Sequence, residues 1–252
     1  MLTVTKHDVT MRFADEEYTE TPYVFRPMLD GKVYEEGFLD HIRSLDVAGV
    51  YVDVGAHLGT HTIWFAMQCP STHVHAFEPI GRYARAVATN AELNGVAEKV
   101  TVHEIGLDDG RTDLAVHTSG REFPTARLDD LVEEPVAVLK MDVEGMEVRV
   151  LDGARRILER DRPEIFAEAF TTDERQTLEA ALEPYGYRNA GQVSVSGQPV
   201  FRFTARPGGS ARLRRLWRRF PASLRTKAWH LRHKVAQGVR AGARGLRRLP
   251  RE

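Results

Sequence analysis

One stretch, Val50-Tyr51-Val52-Asp53-Val54-Gly55-Ala56-His57-Leu58-Gly59, limits what this 252-residue chain can fold into more than any other. Its first half is apolar and rich in β-branched residues, as in a strand buried on both faces of a parallel sheet. Thr60 to Met67, with Ile63, Trp64 and Met67 at helical spacing, reads as the helix that follows. Gly55 and Gly59 carry no Cβ, so the connection can turn sharply and a ligand can lie against its backbone. A nucleoside-like cofactor suits such a turn.

The loop meets neither phosphate-binding signature. A dinucleotide fingerprint requires G-x-G-x-x-G, and a P-loop requires Lys and then Ser or Thr after its last glycine. Here the spacing is G-x-x-x-G, followed by Thr60-His61. The next apolar run, His73-Val74-His75-Ala76-Phe77-Glu78-Pro79, ends in an acid. A carboxylate at the tip of the second strand, about 20 positions past a glycine loop, is placed to accept hydrogen bonds from both ribose hydroxyls. The alternative is a strand-ending Glu that caps the following helix.

The remaining pattern alternates. Tyr34 to Leu45 reads as a helix through Phe38, Leu39, Ile42 and Leu45, and Arg82 to Leu93 as another that Asn94-Gly95 stops. Val100 to Ile105 is a strand, Asp108-Asp109-Gly110 a turn, Asp113 to His117 a short polar strand, and Gly120 to Thr125 a loop. Val136 to Met141 is a strand. One helix then carries Val150, Leu151, Ala154, Ile157 and Leu158, and Pro163 to Glu168 and Asp173 to Leu182 follow as strand and helix. Tyr187 to Val195 and Pro199 to Phe203 form a closing hairpin. Strands alternating with helices require a parallel α/β sheet covered on both faces by right-handed crossovers, here with an antiparallel edge. Residues 1–33 are weakly patterned, with an edge strand possible over Val9 to Phe13. The expected division is an N-terminal segment 1–33, a main domain 34–205 and a tail 206–252.

In such a sheet ligands bind beyond the carboxyl ends of the strands, where strand order reverses. That places Asp53 and the glycine loop, Glu78, Ile105-Gly106, Asp142, Glu144 and Glu168 in view. Lys140, Asp142 and Glu144 stand at alternate positions and so share one face at the end of a strand otherwise built for burial. They contact a ligand, or else form a structural Lys–Asp pair that caps the next helix. His57 and His61 could form half a metal site or be substrate or surface residues, and Asp142, Glu144 and Glu168 could hold Mg²⁺; spacing alone does not decide, and no metal is assigned.

Cys69 is the only cysteine, which excludes an internal disulfide and makes the cytosol the expected compartment. Met1 to Glu20 has no apolar signal region, and no run is long enough to span a bilayer. The net charge of −1 hides a division. Residues 205–252 hold 15 Lys and Arg against one acid, Glu252, leaving 20 basic and 35 acidic residues in the rest. Leu213, Leu216, Phe220, Leu224, Ala228, Leu231, Val235 and Val239 recur every three or four residues among those cations, a basic amphipathic pattern. It suits the surface of an anionic membrane, with nucleic acid as a less favoured partner and packing on the acidic body as the plain alternative.

Several blocks together resemble FkbM-type methyltransferases over about residues 34–200. They are Asp53-Val54-Gly55-Ala56-His57-Leu58-Gly59, Phe77-Glu78-Pro79, Leu128-Asp129-Asp130-Leu131, Lys140-Met141-Asp142-Val143-Glu144-Gly145-Met146-Glu147, Leu151-Asp152-Gly153-Ala154, and Pro163-Glu164-Ile165 through Glu168. The family usually has Asn where His57 stands. The resemblance implies a seven-stranded, Rossmann-like class I methyltransferase fold, S-adenosylmethionine (SAM) as cofactor, and O-methylation of a hydroxyl on a sugar, glycolipid or natural product. On that reading Asp53, Gly55, Ala56, His57, Gly59, Glu78, Pro79, Gly106 and Asp142 form the cofactor site. Asp142 is the first candidate for the group that removes the acceptor's proton, with Glu168 and His57 behind it. The rival reading is a methyltransferase-like module without catalysis that binds membrane or RNA through its tail.

Overall fold

The chain opens on a hairpin, β1 (Leu2–Lys6) and β2 (Val9–Phe13), and two helices, α1 (Pro22–Leu29) and α2 (Glu36–Ser44). β3 (Gly49–Val54), α3 (Thr60–Gln68), β4 (Ser71–Phe77), α4 (Gly81–Leu93) and β5 (Val100–His103) then alternate. A small sheet of β6 (Gly106–Leu107), β7 (Leu114–Val116) and β8 (Glu122–Ala126) follows. Next come α5 (Leu128–Leu131), β9 (Val136–Met141), α6 (Glu147–Asp152), α7 (Arg155–Arg160), β10 (Glu164–Glu168) and α8 (Thr172–Leu182), and the hairpin β11 (Tyr187–Gln192) and β12 (Val200–Ala205). This computed structural model describes residues 1–14, 22–116, 122–194 and 198–205, all within one unit, Met1–Arg206. The expected basic tail, His117, Gly120 and the hairpin tip at 195–197 lie outside the described residues. Among the described residues no helix is long and apolar enough to cross a membrane.

The main sheet has seven strands in the order β11-β12-β10-β9-β3-β4-β5. β10, β9, β3, β4 and β5 pair in parallel, and β12 is antiparallel to both β10 and β11. From β3 the chain first builds outward through β4 and β5, then returns to place β9 and β10 on the other side. The strand order therefore reverses between β3 and β9, and a crevice opens there at the carboxyl ends.

β3 shows why its sequence lacks alternation. Tyr51 packs with Phe38, Trp64, Phe65 and Phe166 on one face, while Val52 and Val54 pack with Leu139, Met141, Leu151 and Ile165 on the other. Each fully buried side chain of this size contributes roughly 1.5–3 kcal/mol.

Three expectations change. Residues 1–33 are no separate segment, because Val4, Met11, Phe13, Val24, Met28 and Val33 enter the same core as Trp64. Asn94 fixes the hairpin as a strand partner would, accepting from the Arg12 N–H at 2.8 Å and donating to the Arg12 carbonyl at 2.6 Å. Second, Glu122 to Thr125 lies in β8, not a loop, with β7 antiparallel on one side and β6 parallel on the other. Third, the helix after β9 is two helices. Gly153 lies so close to the Asp108 carbonyl that a side chain there would collide with it, and Asp129 caps the new start by accepting from the N–H groups of Arg156 and Ile157 at 2.8 and 3.0 Å.

Candidate functional site

A cavity of about 480 Å³ occupies the crevice between the tips of β3 and β9. The glycine loop forms one wall. The N–H groups of Gly55 and Ala56 both donate to the Phe77 carbonyl, at 3.0 and 3.1 Å, so the loop folds over the end of β4. Gly55 has φ +75° and lies against the Asp142 carbonyl, where any Cβ would clash. It and Ala56 line the cavity, with no side chain at Gly55 and only a methyl at Ala56. Gly59, also at positive φ (+80°), serves otherwise: it starts α3, and a Cβ there would come within 3.1 Å of Val87 Cα on α4. Gly59 shapes the helix packing and does not line the cavity.

Glu78 stands beside the loop and lines the cavity, 5% exposed. Its Oε2 accepts from the His57 N–H at 2.8 Å and its Oε1 from the Ile80 N–H at 2.9 Å. Each oxygen keeps capacity for another donor. Burial raises the carboxyl's pKa, and the two backbone donors work against that rise. Glu78 thus fixes the loop and the start of α4, and it also faces the cavity. Pro79 and Gly106 line the cavity as well, the latter beside Leu107 and Phe123. His57 does too, with its ring edge-on to Tyr83 at 4.4 Å. Burial pushes its pKa down to about 4, which keeps the imidazole neutral near pH 7.

Asp53 is held by its own neighbours. It and Lys140 are cross-strand partners in the β3–β9 register, and both are buried, at 0% and 3% exposure. Asp53 Oδ1 lies 2.9 Å from Lys140 Nζ, and its Oδ2 accepts from the Thr62 hydroxyl at 2.6 Å. It stands behind the cavity and does not line it. Lys140 Nζ also donates to the Gly55 carbonyl at 3.1 Å. Burial opposes its charge, yet Asp53, Asp142 and Glu35 together raise its pKa above the ordinary lysine value.

Asp142 and Glu168 meet at the tips of β9 and β10, and both line the cavity. Burial, then the Asp142 charge and a hydrogen bond to Asp142, raise the Glu168 pKa far above the ordinary carboxyl range. Glu168 therefore holds a proton near neutrality, and Asp142 lies beside it, about a third exposed. Glu144 stands at the rim with φ +51°. Among the described residues no group of three or more His, Cys, Asp or Glu is arranged to hold a metal ion. His57 packs against Tyr83, whereas His61 is enclosed by Tyr34, Phe38 and Phe65.

Sequence spacing missed Tyr23, Tyr34, Thr60, Tyr83 and Gln198, all of which line the cavity, as does His61, singled out only with His57. It also missed Glu35, which precedes α2 in the left-handed region at φ +54° with a side chain only 4% exposed. Glu35 Oε2 lies 3.4 Å from His61 Nε2, and burial pushes the carboxyl's pKa up to about 7. The one available signal was an acid at the start of a helix that leads into β3.

A family model described as the methyltransferase FkbM domain matches residues 53–189. The AMB antimetabolite synthetase AmbE of Pseudomonas aeruginosa is 35% identical over 86 residues, which cover 32% of this chain and 4% of that protein. The present chain thus spans a small fraction of that relative. The crystal structure of methyltransferase FkbM from Methylobacillus flagellatus KT superposes with a TM-score of 0.53 at 20% identity, covering 63% of this chain and 44% of the other. At that identity the likeness concerns the fold.

Proposed function

The chain belongs to the FkbM methyltransferase family, and from that premise we propose that it is a SAM-dependent enzyme that methylates a hydroxyl oxygen of a sugar, glycolipid or natural product. The observation that carries this reading is the carboxyl pair Asp142–Glu168, which lines the same cavity as the glycine loop.

The residues present fit the cofactor. The cavity lies within the range of about 300–1,000 Å³ usual for small-molecule sites. Gly55 leaves its backbone uncovered and Ala56 adds only a methyl, and Glu78 retains acceptor capacity suited to a ribose diol. Pro79, Gly106, Leu107 and Phe123 add an apolar wall beside Glu78 for the base. When bound, SAM supplies a methyl carbon made electrophilic by its sulfonium.

The protein's share of the work is alignment and a place for one proton. Holding the acceptor oxygen in line with the methyl carbon converts an encounter into a unimolecular step. As the C–O bond forms and the C–S bond breaks, the hydroxyl proton passes to the Asp142 carboxylate. Glu168 is already protonated and cannot take it. Instead it donates its hydrogen bond to Asp142 and holds that carboxylate in position. Neutral His57, on the same cavity, is the second group able to accept the proton.

Asp142→Asn is expected to lower turnover by roughly 10²–10⁴-fold, the usual worth of a positioned base, while SAM affinity by calorimetry changes little. Equal losses in turnover and affinity would make Asp142 a binding residue and remove this mechanism.

A further inference from the structure

Among the described residues, the large apolar side chains left exposed are mostly scattered, but two aromatic ones share the cavity. Tyr23 and Phe170 both line it, and each is 58% exposed. A lone surface hydrophobe needs no explanation, whereas two aromatic rings left in water on the wall of one cleft mark a surface to be covered.

Local structure fixes both rings. On α1, Val24 and Met28 lie one turn apart and enter the core, which anchors the helix with the adjacent Tyr23 on the cavity. The Tyr34 ring meets Tyr23 edge-on, 5.7 Å between centroids. Phe170 follows the tip of β10, and its N–H donates at 2.7 Å to Glu174 Oε2, the carboxylate that also caps the start of α8. Both rings border the carboxyl pair. Phe170 lies two residues beyond Glu168, and Tyr23 lies near Asp142: burial first, then Asp142, Tyr83 and Glu144, raise the pKa of its phenol.

The charges on the wall limit what can cover these rings. Among the described lining residues Lys140 is the only Lys or Arg, and Asp53 and the Gly55 carbonyl already engage it at 2.9 and 3.1 Å. Arg82 is not on the wall and stacks over the Tyr83 ring. Burial pushes the pKa values of His57 and His61 down to about 4 and about 3, so neither is a cation near pH 7. Asp142 and Glu144 add carboxylates. A phosphate or carboxylate on the acceptor would meet like charge there and find no cation. A saturated sugar ring suits the same surface, because its C–H face packs on aromatic rings and its hydroxyls donate to carboxylates.

We propose that Tyr23 and Phe170 form the acceptor subsite, and that it takes an uncharged pyranose ring and excludes one that bears a phosphate or carboxylate. This inference rests on the methyl-transfer reading above and deepens it, since it assigns the acceptor's class and the residues that select it.

Saturation-transfer NMR on the full chain in the presence of S-adenosylhomocysteine tests the subsite, with calorimetry of S-adenosylhomocysteine on the same samples and thermal melting to confirm folding. The probes are the methyl pyranosides of glucose, galactose and mannose, compared with the 6-phosphates and 6-carboxylates of the same sugars. At least one neutral pyranoside should bind at least tenfold more tightly than its charged counterparts. Tyr23→Ala and Phe170→Ala should each weaken it at least fivefold, Tyr23→Phe should stay within twofold, and S-adenosylhomocysteine affinity should stay within twofold in all three. No binding of any neutral pyranoside, equal binding of the charged sugars, normal sugar affinity in either alanine variant, or a matching loss of S-adenosylhomocysteine affinity would overturn the subsite and leave the cofactor assignment standing. Sugar binding without S-adenosylhomocysteine binding would overturn the methyl-transfer reading instead. Because the two rings lie on different elements, loss of folding in one alanine variant would leave the other to decide.

Discussion

Lys140 is the residue on which the buried charges converge. It meets Asp53 across the β3–β9 register, supports the Gly55 carbonyl, and places a positive charge behind Asp142 at 4.0 Å. Deleting one member of a buried ion pair leaves the other uncompensated and costs about 3–5 kcal/mol. Lys140→Met is therefore expected to lower unfolding free energy by about that amount in urea titrations, with a smaller loss for the double variant in which Asp53 is also made apolar. A single variant that is nearly neutral would show that the pair contributes little to holding the loop. The same residue explains why charges appear in a strand otherwise built for burial: Lys140 faces inward to Asp53, and Asp142, two positions on, reaches the cavity.

At the level of elements, α7 depends on a cap that comes from outside it. Asp129, at α5, accepts from the N–H groups of Arg156 and Ile157. Asp129→Ala should destabilise the fold by about 1–2 kcal/mol, as for other lost caps, measured as a shift in urea midpoint without change of slope; no shift would mean that α7 starts without the cap. This is also where reading from sequence reached its limit. β9 and the glycine turn were legible because a parallel strand followed by a helix imposes its own composition, and Val136–Met141 is found as expected. Glu78 was legible because its distance from the loop follows from the βαβ geometry. The break after Asp152 was not, since the apolar stripe from Val150 to Leu158 continues through it. Its causes, the Asp108 carbonyl against Gly153 and the remote cap Asp129, are tertiary. The surroundings of Glu35 and Asp53 were hidden for the same reason. Position near a strand tip says nothing of whether a neighbour has already taken the side chain, or whether a preceding helix delivers another acid to the same place.

For the whole molecule, the carboxyl groups gathered at the cavity have a cost in stability that depends on pH. Glu168 faces Asp142, Glu35 and Lys140, and keeps its proton in the folded state well above the ordinary carboxyl range, mainly because it is buried. The unfolded chain releases that proton earlier. Folding then binds more protons than the unfolded state does, so this group's contribution to stability falls as pH rises from the ordinary glutamate pKa through the raised one, by up to about 1.4 kcal/mol per pH unit. Glu168→Gln removes the effect. Its melting temperature relative to the unaltered protein should climb steadily between pH 5 and pH 8, and parallel curves would show that Glu168 titrates normally.

The claim on which the account rests is that the cleft between β3 and β9 holds SAM with Glu78 on its ribose. Calorimetric titration of SAM into the purified protein and into Glu78→Ala tests it most directly. A one-to-one complex is expected, weakened at least tenfold by the substitution, in keeping with about 1.5–3 kcal/mol for hydrogen bonds to a charged group. No heat of binding to the unaltered protein, or equal affinity in the two, would contradict it.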